Sequence, residues 1–148
     1  MKFSKKSRYG VAALIDLAVN SKNGHVALGN IAERNEISPQ YLEQVFASLR
    51  RAGIVKSVKG SQGGYLLKYP PSSITVASII QALEGTYYLD DEETKTEESA
   101  ARIAETIQED IVDRVNHGLD QILQNLTLAD LEESFQERQS GGQEMYYI

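Results

Sequence analysis

Cysteine is absent from all 148 residues, which excludes disulfides, thiol catalysis and any iron–sulfur cluster held by thiolates. No apolar run approaches the roughly eighteen residues of a membrane span, and no signal-peptide pattern follows Met1. A soluble, cytoplasmic protein without a membrane partner is expected. Histidine is scarce: His25 falls in an expected turn and His117 on an expected helix, and both read as solvated or internally satisfied side chains. No Ser/His/Asp arrangement or cofactor fingerprint stands out. The sequence therefore predicts no enzyme, no metal and no cofactor.

Charge of one sign is scarce in each half. Residues 1–70 hold 11 Lys+Arg against 4 Asp+Glu, a net of +7, whereas residues 71–148 hold 4 against 17, a net of −13. Such asymmetry suggests a basic part that faces nucleic acid and an acidic part that faces elsewhere, because local charge governs phosphate contact more than the total does. The alternative is two surfaces that charge merely solvates.

The basic half carries a recognisable device. Ser38 suits an N-cap and Pro39 the first helical position, and Gly53 is placed to end the helix. Leu42, Val45, Phe46 and Leu49 recur at helical spacing, which leaves Gln40, Glu43, Gln44, Ala47 and Arg51 outward. Amides can read base edges and arginines can hold phosphates or guanines, although most helices carry some solvated polar face. Ile54–Lys59 and Tyr65–Lys68 are strand candidates flanking Gly60-Ser61-Gln62-Gly63-Gly64, a hairpin with a flexible cationic tip. The spacing of a P-loop is missing.

Upstream, Lys2, Lys5, Lys6 and Arg8 lead into a helix with Val11, Leu14, Ile15 and Ala18 on one face. Ser4 or Ser7 can cap it, and its basic N-terminus could clamp a phosphate. A turn at Lys22-Asn23-Gly24 precedes a short helix with Leu28, Ile31 and Ala32 inward. Asn35-Glu36-Ile37 joins it to Ser38 in a helix-turn-helix arrangement.

In the acidic half, Thr75 and Gly85 bracket a helix with Val76, Ile79, Ile80 and Leu83 inward. Asp90–Glu98 carries six acidic groups against one lysine and reads as a mobile loop, with a carboxylate metal site as the less favoured alternative. Ile103, Ile107, Ile111, Val115, Leu119, Ile122 and Leu126 then recur along a helix of about 37 Å. That stripe exceeds what a small core covers and is expected to pair with its twin in a homodimer; the alternative is an internal brace on the first helix. Thr127 and Asp130 match a cap opening a last helix with Leu128, Leu131 and Phe135 on one side. Gly141-Gly142 is expected to free a tail, and its ending, Tyr146, Tyr147 and Ile148, could be a docking peptide or fold back.

These residues resemble the Rrf-two (IscR/CymR) family of winged-helix transcription regulators. The resemblance is carried by Lys5-Lys6-Ser7-Arg8-Tyr9-Gly10, Ile31-Ala32, Tyr41-Leu42-Glu43-Gln44, Leu49-Arg50-Arg51-Ala52-Gly53, and the Gly60–Tyr65 run GSQGGY, and it continues through Ile74–Gly85. It implies a homodimer on a palindromic operator in double-stranded DNA, with the recognition helix in the major groove and the wing in the minor groove. Many members carry three cysteines after the Leu-Glu-Gly segment and bind a cluster; here Gly85-Thr86-Tyr87-Tyr88-Leu89 follows, so cluster sensing is not carried over. The cysteine-free CymR type is closer and implies repression of cysteine and sulfur genes together with O-acetylserine thiol-lyase (cysteine synthase). The acidic stretch between Tyr87 and Ala101 is longer than in that type. The isoleucine-terminated ending resembles the tail by which serine acetyltransferase enters that enzyme.

The expected fold is mainly α with a small β-wing: a winged helix-turn-helix DNA-binding domain at 1–85, an acidic loop at 86–99, dimerisation and C-terminal helices at 100–137, and a flexible tail at 138–148. Gln40, Tyr41 and Gln44 are expected in the major groove, with Ser38 at the same helix end. Lys59, Ser61, Gln62 and Gly63 belong to the wing, and Lys5, Arg8, Tyr9, Arg50 and Arg51 to phosphates. Ile103, Ile107, Ile111, Val115, Leu119 and Ile122 are expected to form the dimer seam, and Tyr146, Tyr147 and Ile148 to dock a partner. Three other readings remain: a family member with a different effector, an interaction module whose active part is the tail, and a small-molecule enzyme, which the missing catalytic constellation disfavours.

Overall fold

The computed structural model describes the backbone of residues 3–146 and the side chains of residues 3–141. Helix α1 (Lys5–Asn20) is followed by α2 (Leu28–Asn35), α3 (Pro39–Arg51), strands β1 (Val55–Val58) and β2 (Gly64–Leu67), α4 (Val76–Glu84), α5 (Glu98–Ile107), α6 (Arg114–Leu123) and α7 (Leu128–Tyr146).

Local signals account for most boundaries. The Ser4 side chain accepts from the Ser7 N–H, Ser38 from Tyr41 and Thr75 from Ser78, each satisfying an amide that the first helical turn leaves without a partner. Thr127 and Asp130 cap each other reciprocally, at 2.9 and 3.2 Å, as a capping box does. At the end of α3, Gly53 has φ +78°, its N–H donates to Arg50 and that of Ile54 to Leu49. This double closure reverses the chain and feeds it into the wing.

The first core joins α1, α2, α3, α4 and the wing. Leu14, Leu17, Ile31, Leu42, Val45, Phe46, Leu49 and Ile79 are fully buried in it. Leu128, which the sequence groups with the C-terminal segment, lies in this same cluster, because Val76 donates to Leu126 and Leu128 to Ile74, both at 2.8 Å. Helix α7 then packs along α1, and the nearly buried Glu132 pairs with Lys22 at 3.0 Å. The internal brace on the first helix is thus α7, not the long helix.

The expected break at Gly141-Gly142 is not observed: α7 runs through both glycines. A glycine inside a helix costs only about 1 kcal/mol relative to alanine, and no proline follows to stop the helix. The tail residues Tyr147 and Ile148, and the side chain of Tyr146, lie outside the described residues.

The long helix forms as anticipated, but α5 and α6 are joined by a π-helical turn at Gln108–Asp113 through which the backbone stays right-handed. Its apolar stripe divides. Leu119 and Leu123 pack on a second cluster of Val76, Ala77, Ile80 and Tyr87, Val112 is buried, and Ile103, Ile111, Val115 and Ile122 are exposed. Leu119, expected in the dimer seam, is half-buried against the outer side of α4 within the chain.

The acidic stretch is irregular up to Glu97, in line with the expected loop, and its first part is tied to the long helix. Tyr87 is 1% exposed, the Leu89 amide donates to the Asn116 side chain at 2.8 Å and the Glu92 amide to Gln108 at 2.7 Å. Gln108 also donates to Asp91 and Asp113. A stretch with few apolar residues is held by one buried tyrosine and by amide side chains of the helix beside it.

Candidate nucleic-acid interface

Helix α3 presents Gln40, Glu43, Gln44, Arg50 and Arg51 to solvent, since every side chain of its opposite face is committed to the core. Gln40 and Gln44 lie four residues apart on that helix, hence on adjoining turns. Ser38 is engaged as the cap, its hydroxyl 3.1 Å from the Tyr41 amide. Arg51 reaches back to Ser48 at 3.2 Å, and Arg50 reaches forward to Ser57 on β1 at 3.4 Å, which links the helix to the wing.

Three of the expected residues form one ladder. Tyr9 and Tyr41 meet edge to face with centroids 5.5 Å apart, and Lys5 lies 5.4 Å from the Tyr9 ring. Aromatic and cation–π contacts of this kind hold a lysine without neutralising it. Arg8 is placed separately: its guanidinium lies 4.6 Å from the Phe3 ring, and its Nε donates to the Phe3 carbonyl at 3.0 Å. Phe3 was not read from the sequence as part of the site; a lone aromatic five residues before an arginine carries little signal.

The N-terminus of α1 has a carboxylate beside it. The Glu84 carboxylate from the end of α4 accepts from the hydroxyls of Ser4 and of the buried Ser7, the latter at 2.7 Å. An internal carboxylate thus stands beside the positive helix end, held by two hydroxyls. Lys5 and Arg8 flank that capped end as exposed cations.

Helix α2 is tied to α1 through Asp16, which accepts from Arg34 at 2.7 and 2.9 Å and from Asn35 at 3.0 Å. That bond, more than the charge of Asp16, raises the Arg34 pKa further above its ordinary value. Glu36, at φ +55°, closes the turn between α2 and α3 in the left-handed region that non-glycine residues rarely adopt.

The wing pairs Val55 with Leu67, Lys56 with Leu66, Ser57 with Tyr65 and Val58 with Gly64, which fixes its register. Lys59, Ser61 and Gln62 lie exposed at its tip beside Gly63, where the Gly63 amide closes on the Gly60 carbonyl at 3.1 Å.

Two helices in a helix-turn-helix, a two-stranded wing and exposed cations beside both have a counterpart among known proteins. Residues 3–134 match the family Rrf2, described as an Iron-dependent Transcriptional regulator. The chain belongs to the Rrf2 family. It is 39% identical over 135 residues to the HTH-type transcriptional regulator CymR of Bacillus subtilis, covering 88% of this chain and 89% of the relative. The solved structure of CymR (YrzC), the global cysteine regulator of B. subtilis, superposes with a TM-score of 0.67 at 37% identity, over 90% of this chain and 98% of that one. T. potens IscR superposes with a TM-score of 0.70 at 39% identity, over 94% and 91%.

An Rrf2 regulator with a winged-helix fold is thus established, and the relatives are transcription regulators, not enzymes. The iron in the family's description meets no suitable donor set here. The chain has no thiol, and among the described residues no group of three His, Cys, Asp or Glu could hold a metal ion. After Gly85 stand Tyr87 and Tyr88. Both phenols donate to Asp120 of α6, Tyr87 at 2.5 Å and Tyr88 at 2.7 Å. Those bonds hold the Asp120 carboxyl below the usual carboxylate range. The bond to Asp120 pushes Tyr88 up to about 12, whereas burial is the main cause that raises Tyr87. Two phenols on one carboxylate fasten the long helix to α4; they do not make a cluster site. Among the described residues no helix is long and apolar enough to cross a membrane.

Proposed function

We propose that this Rrf2 protein is a homodimeric, DNA-binding repressor that reads a palindromic operator upstream of cysteine and sulfur genes and works without an iron–sulfur cluster. The observation that carries the DNA-binding part is the open polar face of α3, flanked on the same lobe by Lys5 and Arg8 and by the wing tip, within a half whose net charge is +7. In this reading Gln40, Tyr41 and Gln44 meet base edges. Lys59, Ser61, Gln62 and Gly63 enter the minor groove, and Lys5, Arg8, Tyr9, Arg50 and Arg51 hold phosphates.

A palindrome reader needs a two-fold axis, and the exposed Ile103, Ile111, Val115 and Ile122, with the half-buried Ile107 beside them, support placing that axis along the long helix. The cysteine pathway is supported by the similarity to CymR and by the missing thiols. A role for Tyr146, Tyr147 and Ile148 in docking O-acetylserine thiol-lyase rests on the resemblance of the ending alone, and deletion of Ile148 should then abolish co-purification.

Purified protein incubated with sheared genomic DNA at moderate salt, followed by sequencing of what it retains, tests the whole reading. One palindrome near cysteine and sulfur genes is the expected result. A palindrome elsewhere would keep the regulator and discard the pathway, and no enrichment with or without the thiol-lyase would discard DNA binding. On the recovered site, Gln44→Ala should relax base preference, whereas Arg8→Ala should weaken all sequences alike and flatten the salt slope by about one unit.

A further inference from the structure

The turn between α1 and α2 reaches across to the wing. The Val26 amide donates to the Tyr65 carbonyl at 3.0 Å and the Tyr65 amide to the Val26 carbonyl at 2.9 Å, a single antiparallel bridge on the outer edge of β2. Gly64 permits the approach, since a Cβ there would lie 2.4 Å from the Val26 carbonyl oxygen and 2.6 Å from its carbon. One residue before Val26, the exposed His25 places its Nε2 2.5 Å from the carbonyl oxygen of Gln62, in the loop that joins β1 to β2. A carbonyl has no proton to give, so Nε2 is the nitrogen that carries one.

We propose that His25 is the positioning residue of the wing: its Nε2–H, fixed on the Gln62 carbonyl and backed by the Val26–Tyr65 bridge, holds Ser61 and Gln62 ready for the minor groove. The proposal rests on the DNA-binding reading above. Its physical basis is the composition of the loop, where Gly60, Gly63 and Gly64 leave the tip free to sample many conformations. A tip that must be ordered when DNA arrives loses affinity to that ordering, and a tip already held does not. His25 belongs to neither helix of the helix-turn-helix nor to the hairpin, yet it sets the direction in which the hairpin points.

Three variants separate positioning from mere folding. His25→Ala removes ring and donor, His25→Phe keeps a ring without a donor, and His25→Gln restores an amide donor at similar reach. Two readouts apply: trypsin cleavage after Lys59 in the free protein, and affinity for the selected operator and for versions altered only at the base pairs under the wing. The expected result is faster cleavage after Lys59 in the Ala and Phe variants at an unchanged melting temperature. Operator affinity should fall about fivefold, or ~1 kcal/mol, with loss of preference at the wing positions only, and both readouts should recover in His25→Gln. Wild-type behaviour of His25→Ala on bound operator would overturn the proposal and leave the DNA-binding reading intact. A uniform loss at every position with a lowered melting temperature would overturn it in favour of a folding role. If the wild-type protein selects no DNA while His25→Ala still exposes Lys59, the DNA-binding reading falls and the brace stands.

Discussion

Leu42, Val45, Phe46 and Leu49 of α3 are fully buried, whereas Ile103, Ile111, Val115 and Ile122 of the long helix stand 60, 53, 41 and 63% exposed. Both stretches present apolar residues at helical spacing, and in the sequence the two patterns look alike. The difference lies in what each helix has beside it. Around α3, three helices and a hairpin close on one centre, so its apolar face is used up within the chain and its polar face is free for a ligand. Beside α6, α4 with the Tyr87 segment covers part of Leu119 and Leu123, and the rest of the stripe stays open. A helical apolar face reports that something must cover it, without saying in which chain the cover lies.

That contrast is sharpest in stability. Phe46→Ala opens a cavity in a fully closed core and should cost about 3–5 kcal/mol in denaturant unfolding. Ile111→Ala, measured at concentrations dilute enough for single chains, should stay within about 0.5 kcal/mol. Equal losses at the two positions would mean that the long helix is covered internally after all.

Assembly should show the reverse order. Ile111→Glu combined with Val115→Glu is expected to raise the dimer dissociation constant at least about a hundredfold, or ~2.7 kcal/mol, and to sediment as single chains while α1–α4 keep their melting behaviour. An unchanged dimer would place the two-fold axis elsewhere.

The smallest effect concerns the fastening between the two regions. Asp120, held below its ordinary range by Tyr87 and Tyr88, contributes stability above about pH 4, and that contribution fades as pH falls through its lowered value. Tyr88, pushed up to about 12, contributes fully below about pH 10 and loses its share as pH rises through the higher value. Tyr88→Phe should therefore melt at most about 2 °C below wild type, by a constant margin from about pH 5 to 10 that closes at both ends. A margin independent of pH would show that the phenol packs without bonding to Asp120.

Much of the fold was legible because its signals are short. Ser38, Thr75 and the Thr127–Asp130 pair cap their own helices within three residues, and Gly53 and Gly85 end theirs in place. The candidate interface was legible only as a set of residue types. Its outward amides and cations follow from helical phase, yet nothing local shows that Phe3 holds Arg8 or that Glu84 stands beside the start of α1. The bonds that tie the start of the acidic stretch were not legible for a related reason: its composition predicts solvation, and the partners, Asn116 and Gln108, come 27 and 16 residues after Leu89 and Glu92.

By itself the sequence determined the helix boundaries, the inward face of each helix, the family, and the exclusion of thiolate chemistry, since caps, periodicity and composition are properties of neighbouring residues. Only the tertiary structure decided which edge of the long stripe stays open, that α7 and not the long helix braces α1, and that His25 meets Gln62 from 37 residues away. Those outcomes depend on which surfaces are left when the core has closed, and a side chain separated by tens of residues leaves no periodic trace of the partner it will find.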